Sequence, residues 1–133
     1  MYSLLILGVV VVYQYDTSAS TAWTTMRQLT GPTAADELYG SSVAMVYDTT
    51  TGVLTIAVGA PGAASAAGSV WIHRYTDVAW NTQQLTSDAA GSFGANLALS
   101  GSVLAVGEPS HSTNQGGDCE LHNNTHCSHV RSD

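Results

Sequence analysis

Hydrophobic and polar residues alternate in short runs along most of the chain, and clusters of glycine, proline, aspartate and serine separate the runs. Alternation with a period of two, in runs rich in β-branched and aromatic residues, is typical of β-strands. No window combines a helical period with helix caps, so the sequence predicts almost no helix. The predicted strands are 9–15, 23–30, 42–47, 54–59, 69–75, 80–86, 95–99 and 103–107.

The alternation differs between the predicted strands. Val43, Met45 and Tyr47 point one way, and the residues between them are apolar as well, so the pattern predicts a strand that is covered on two sides. Strand 54–59 has the same two-sided pattern, whereas strand 80–86 carries mostly polar residues and is predicted to expose one side to solvent. Residues 42–86 are therefore predicted to form one four-stranded antiparallel sheet in chain order, with buried inner strands and a half-exposed outer strand.

A sequence motif occurs twice along the chain, with corresponding residues about 50 to 60 positions apart. The first copy runs from Tyr39-Gly40 to Gly59-Ala60-Pro61, and the second runs from Phe93-Gly94 to Gly107-Glu108-Pro109. The flanking segments repeat too, because WTTMRQLT at 23–30 is echoed by WNTQQLT at 80–86, and Val10–Tyr15 aligns with Val70–Tyr75. Such a period indicates a repeat architecture in which stacked units share a core. We predict structural roles for Tyr39, Gly40, Gly59, Pro61, Phe93, Gly94, Gly107 and Pro109.

This ordered set of motifs, from residue 9 to residue 109, resembles the FG-GAP repeat that builds the seven-bladed β-propeller of integrin α chains. The resemblance implies an all-β fold of antiparallel β-propeller blades: one complete four-stranded blade plus two partial blades, an incomplete propeller that spans 1–113. It also implies a non-catalytic binding or adhesion module, extracellular or at the cell surface, with a protein or glycan ligand. Two alternatives stay open: a scaffold segment of a propeller-containing hydrolase, and a truncated repeat product without independent activity.

Calcium loops are the point at which the chain departs from the family pattern. Many FG-GAP repeats carry an Asp-x-Asp-x-Asp-Gly loop in the hairpin that joins their first two strands. Here the two hairpins contain only Asp48 and Ser100-Gly101, respectively. Calcium takes six to eight oxygen ligands, which one carboxylate does not supply. The sequence therefore predicts no metal site, and nothing in it calls for a cofactor.

Charge and composition limit the classes of partner that the chain can bind. The 133 residues include ten acidic residues, three arginines and no lysine, and the formal net charge is −7. Such a chain repels a phosphate backbone, which argues against nucleic acid as a partner. The apolar run from Leu4 to Val12 has the length of a signal-peptide core but is too short to span a bilayer. We favour a β-strand there, because the run overlaps the repeat.

Candidate ligand-binding residues are found in the loops. The segments 31–41, 60–68 and 87–94 are predicted to lie at one end of the sheets, where propellers commonly bind, and they contain Asp36, Glu37 and Asp88. No Gly-x-Ser-x-Gly motif or phosphate loop occurs, and His73 is expected to pack or to face solvent. The sequence thus predicts no enzymatic activity.

The first and last strands of the repeat region are predicted to lack a partner strand on one edge. Strands 9–15 and 103–107 each have an unpaired edge, which predicts self-association, pairing with further blades, pairing of these two strands with each other, or partial unfolding. Residues 114–133 contain Cys119 and Cys127, whose spacing fits a zinc site or a disulfide. We predict that this tail is disordered, because polar terminal segments usually are.

Overall fold

The computed structural model describes residues 8–18, 22–31, 38–63, 67–87 and 91–110, together with the backbone of 117–122 and 126–130. The described chain contains ten β-strands: β1 (Val9–Tyr15), β2 (Trp23–Thr30), β3 (Ser42–Asp48), β4 (Val53–Ala60), β5 (Ser69–Thr76), β6 (Ala79–Thr86), β7 (Asn96–Ser100), β8 (Val103–Glu108), β9 (Gly117–His122) and β10 (His126–Val130). The eight strands predicted from the sequence agree with β1–β8 to within one residue at each end. No described helix is long and apolar enough to cross a membrane.

The strands form three sheets in chain order. The first sheet is β1-β2, the second is β3-β4-β5-β6, and the third is β7-β8-β9-β10. Every pairing within them is antiparallel, which confirms the all-β antiparallel prediction and the four-stranded sheet predicted for 42–86. Tight turns make this order possible. At the β3–β4 turn, the Asp48 carboxylate accepts hydrogen bonds from the Thr50 backbone N–H at 2.8 Å and the Thr51 hydroxyl at 2.6 Å.

The third sheet differs from the sequence prediction of one complete and two partial units. It has four strands, because β9 pairs with β8 over Leu104–Glu108 and β10 pairs with β9. The disorder predicted for 114–133 does not extend to these two strands. Strand pairing uses backbone groups, so a polar segment can close the open edge of β8 although its side chains give a weak strand signal.

The position of β9 also corrects the predicted pairing of 9–15 with 103–107. β8 lies between β7 and β9, so both of its edges are occupied, and β1 pairs with β2. The two strands that were expected to close on each other therefore belong to different sheets. A strand has only two hydrogen-bonding edges, and the local β8–β9 pairing closes a much shorter loop than pairing with β1 would.

Two hydrophobic cores lie between neighbouring sheets. The core between the first and second sheets consists of Val12, Leu29, Tyr39, Leu54, Ile56, Val58, Ala60 and Ala63. The core between the second and third sheets consists of Ala57, Val70, Ile72, Phe93, Leu104 and Val106. β4 contributes to both, because successive side chains point to opposite faces of a strand. Ile56 and Ala57 are accordingly both buried, and the two-sided pattern predicted for this strand is confirmed.

The same prediction is wrong for β3, which is covered on one face only. Val43, Met45 and Tyr47 are 47%, 61% and 58% exposed. They stand opposite Val58, Ile56 and Leu54 in the β3–β4 register, so they face the first sheet. Among the described residues, the first sheet has two strands, and the core that it forms includes residues of β4 but none of β3. Hydrophobic alternation indicates which side chains of a strand can be buried. The extent of the facing sheet determines which of them are buried.

Candidate functional site

Each sequence repeat enters its sheet through a turn of the same backbone geometry. In the first copy Leu38 has φ of 63° and Gly40 has φ of 91°, and in the second copy Ser92 has φ of 59° and Gly94 has φ of 91°. A positive φ near 90° is readily adopted only by glycine, which accounts for the glycine that follows each aromatic residue. The repeat seen in the sequence is therefore also a repeat in the backbone.

The hydrogen bonds of the two turns correspond as well. The Gly40 N–H donates to the Gly59 carbonyl at 2.9 Å, and the Gly94 N–H donates to the Gly107 carbonyl at 3.1 Å. Each bond ties the turn to the strand that carries the second motif glycine. Each motif proline directly follows such a strand, because β4 ends at residue 60 and β8 ends at residue 108. Proline has no N–H for a ladder, so Pro61 and Pro109 mark these ends.

The two aromatic rings occupy equivalent places. Tyr39 is 3% exposed and lies in the core between the first and second sheets, and Phe93 is 1% exposed and lies in the core between the second and third sheets. The burial predicted for both rings is thus observed. A side chain on Gly94 would collide with the second sheet, since a Cβ there would stand 2.7 Å from the Ser69 carbonyl oxygen.

Two glycines that the sequence analysis did not single out bring the aromatic residues against the preceding sheet. A Cβ on Gly68 would collide with the backbone of Phe93, and a Cβ on Gly8 would collide with the carbonyl of Tyr39. Gly8 and Gly68 stand two positions before Val10 and Val70, which the repeat already aligns. Extending that alignment by two residues would have identified them.

A polar chain, buried at Tyr39 and His73, connects the Tyr39 ring to the second sheet. Its hydroxyl lies 2.9 Å from Nε2 of His73, and Nδ1 of His73 lies 3.0 Å from the Thr82 hydroxyl. Burial, with a smaller contribution from the positive charge of Arg27, lowers the pKa of His73 below its usual value. The imidazole is therefore neutral at physiological pH, and it is only 5% exposed. His73 packs, as one of its two predicted roles required, and offers no open surface for acid–base chemistry.

The predicted ligand-binding residues Asp36, Glu37 and Asp88 lie outside the described residues. Parts of their loops are described, and the Phe93 N–H donates to the Ala67 carbonyl at 3.0 Å. The described parts of segments 60–68 and 87–94 therefore meet, as predicted for these two segments. Among the residues that the structure describes, no group of three or more His, Cys, Asp or Glu side chains is placed to hold a metal ion.

A cleft opens at the opposite end, where the β3–β4 and β7–β8 hairpins turn. Its volume is about 650 Å³, and its lining includes Ala57, Ile72 and Leu104 from the core between the second and third sheets. Arg74 lines the same cleft and lies two positions after Ile72, hence on the same face of β5. In the sequence, these hairpins bear only on calcium binding. The sequence signal for this cleft was Arg74, a charged residue on the face of β5 that points toward the third sheet.

No family model matches the chain, and no curated protein matches it. The resemblance to the FG-GAP repeat therefore depends on the motif residues themselves.

Proposed function

We propose that this chain is a non-catalytic extracellular binding module of the FG-GAP type, in which the three sheets act as β-propeller blades and the partner is a protein. The repeated turns support the blade assignment, because Gly40 and Gly94 share their φ angle and their hydrogen-bond pattern. A protein partner is favoured over a glycan by the exposed apolar side chains of β3, which we call the β3 strip: Val43, Met45 and Tyr47.

The third sheet provides an internal comparison for the β3 strip. Ser42 pairs with Gly59 and Asn96 pairs with Gly107, so Leu97 and Leu99 occupy the repeat positions of Val43 and Met45. Leu97 and Leu99 pack against the core that the second sheet covers. Val43 and Met45 have no such cover, although their chemistry is the same. The surface that fits the β3 strip is therefore another β-sheet with an apolar face.

The far side of the third sheet is open in a corresponding way. Ala105 takes the repeat position of Ala57, since Ala57 pairs with Ala44 and Ala105 pairs with Ala98. Ala57 is fully buried by the third sheet, whereas Ala105 is exposed. That far face is mixed, because Asn96 and Ser100 share it with Ala98, so the β3 strip is the apolar surface better suited to bind further blades or another protein, since exposed apolar patches commonly mark such contacts.

Sedimentation velocity tests the β3 strip on the full chain. We expect the wild type to associate as its concentration rises through the micromolar range, and the double variant Val43→Thr/Met45→Thr to sediment as a monomer. Val78→Thr is the matched control, because Val78 is 91% exposed and lies outside the strip. A wild type that stays monomeric, or a double variant that associates equally, would contradict the role of the strip.

Binding to intact cells tests the extracellular role. Fluorescently labelled wild type and the Val78→Thr control are expected to bind cell surfaces, and the double variant is expected to bind less. Protease treatment of the cells should remove the binding if the partner is a protein, and glycosidase treatment should leave it unchanged. If no labelled chain binds, or if glycosidase alone removes the binding, the proposed partner is wrong.

A further inference from the structure

We infer that the cleft between the second and third sheets binds a small organic monoanion, a carboxylate with an apolar body, through Arg74. This inference is independent of the proposed function, because the β3 strip faces the first sheet whereas the cleft lies between the second and third sheets, and only Tyr47 borders both. The volume of about 650 Å³ lies within the range of small-molecule sites, which are typically concave, mostly apolar and supplied with a few polar groups. The cleft has both kinds of surface.

The apolar part of the cleft lies where the two sheets diverge. Ala57, Ile72 and Leu104 line it and are all buried members of the core between the second and third sheets. The hairpin turns of 49–52 and 101–102 stand at its mouth, and Gly101 has no side chain to fill the space. Val46, Val53 and Leu99 line the cleft as well and are only partly buried, so an aliphatic or aromatic group placed there would remove their apolar surface from water.

Arg74 supplies the polar recognition. It lies between Thr55 and Asn81 in the register of the sheet, and none of the described carboxylates forms an ion pair with it. Arg27, by comparison, has its guanidinium 5.8 Å from the ring centroid of Trp80. The guanidinium of Arg74 is therefore a cation at an apolar cleft with its hydrogen-bond donors available, in a chain with ten acidic residues and three arginines.

The acid at the rim of the cleft does not compete for this cation. The carboxylate of Asp48 accepts hydrogen bonds from the backbone and hydroxyl groups of its own turn, through Thr50 and Thr51. These bonds lower the pKa of Asp48, so its charge is retained, but that charge is directed into the turn. A ligand carboxylate is then the acceptor that fits the planar fork of Arg74.

The overall charge limits the size of the anion. A net charge of −7 repels polyanions over several ångströms, and salt does not fully remove this repulsion. A ligand with one carboxylate is repelled only weakly by the negative potential of the protein. It can also accept two hydrogen bonds from the guanidinium of Arg74. The threonine hydroxyl of Thr55 and the hydroxyl of Ser102 line the same cleft and can bond a further oxygen of the ligand.

An NMR titration of the full, isotope-labelled chain tests the inference with 3-phenylpropionate as the probe and 3-phenylpropanol as its uncharged counterpart. We expect amide shifts of the acid titration to concentrate in 51–55, 72–74 and 101–104, with saturation at millimolar concentrations. The alcohol is expected to bind about tenfold more weakly, because it lacks the charge-assisted hydrogen bonds.

Two arginine variants complete the test. Arg74→Gln is expected to weaken binding of the acid about tenfold, and Arg74→Lys is expected to weaken it less, because lysine keeps the charge but not the fork. Arg27→Gln is the matched control and should bind as the wild type does. The amide spectra of the variants report directly whether each one is folded. Equal binding of acid and alcohol, equal binding by Arg74→Gln, or shifts confined to other residues would each overturn the inference.

Discussion

Replacing Gly94 by alanine probes how closely the second and third sheets approach each other. Gly94 has φ of 91°, and a Cβ there would stand 2.7 Å from the Ser69 carbonyl oxygen and 3.0 Å from Cγ2 of Val70. The φ angle alone costs about 1–3 kcal/mol for a residue other than glycine. The contact with rigid backbone adds about 1–3 kcal/mol, as overpacking generally does.

Two other glycines separate these contributions. Gly101 has φ of 55° and no atom within 4 Å of a Cβ, so Gly101→Ala carries the backbone cost alone. Gly40 has the φ of Gly94, but its nearest neighbour is the flexible Cγ2 of Val10 at 3.2 Å. Alanine also reduces the freedom of the unfolded chain, which returns about 0.4–1 kcal/mol in each case. We therefore expect losses of about 1–5 kcal/mol for Gly94→Ala and about 0–3 for Gly40→Ala. Gly101→Ala should lose about 0–1.5 kcal/mol, because the left-handed region near φ of 55° costs an ordinary residue only about 1–2 kcal/mol.

Urea unfolding, followed by tryptophan fluorescence and by circular dichroism, measures these losses from the shift of the midpoint at constant slope. The order of the three variants is the decisive result, since all three make the same chemical change. If Gly94→Ala is no less stable than Gly101→Ala, the sheets do not pack as closely as described. If Gly94→Ala does not fold whereas Gly40→Ala, which has the same φ, does fold, the contact with the second sheet accounts for the difference.

Three further predictions concern the cores and the hairpins. Phe93→Ala should lower the free energy of unfolding by about 3–5 kcal/mol in the same urea assay, because the ring is almost fully buried; a loss below about 1 kcal/mol would contradict its packing role. Because the pKa of His73 is lower in the folded chain than in the unfolded chain, the unfolded chain binds a proton at a higher pH. The free energy of unfolding should therefore fall as the pH drops below about 6.5. His73→Gln should flatten that dependence between neutral and mildly acidic pH, and an unchanged slope would exclude His73 as its source. Calcium should leave the melting temperature unchanged, because Asp48 is the only acid in either hairpin; a rise that Asp48→Asn abolishes would refute this.

Much of the fold could be predicted because the signals are local. Strand positions follow from alternation, and antiparallel order follows from turns that are short enough to join neighbouring strands. Ser100-Gly101 is such a case, since the structure places a turn at 101–102 and gives Gly101 a positive φ. The structural role of the aromatic–glycine pairs followed from their repetition, which is also a property of the sequence alone.

The failed predictions depend on which sheet lies opposite which. Met45 and Leu99 hold the same repeat position and have the same apolar character, yet Met45 is 61% exposed while Leu99 packs against a core. The sheet that faces Met45 has two described strands, whereas the sheet that faces Leu99 has four. The cleft beside Arg74 is likewise formed by two hairpins from different repeats, so no single segment of the sequence contains it.

The polar chain below Tyr39 shows how the two repeats have diverged without a change in backbone. Ile56 pairs with His73 in the second sheet, and Leu104 pairs with Leu121 in the third, so His73 and Leu121 hold the same register position. The repeat with a tyrosine thus has a histidine there, and the repeat with a phenylalanine has a leucine.

This pairing follows from the cost of burying a hydroxyl. A buried tyrosine hydroxyl needs a hydrogen-bond partner, which Nε2 of His73 provides at 2.9 Å, whereas a phenylalanine ring needs only apolar neighbours. Tyr39-Gly40 is therefore not a weakened form of Phe93-Gly94. The two turns perform the same packing function with different chemistry, and in the first of them the packing is linked to the protonation of one imidazole.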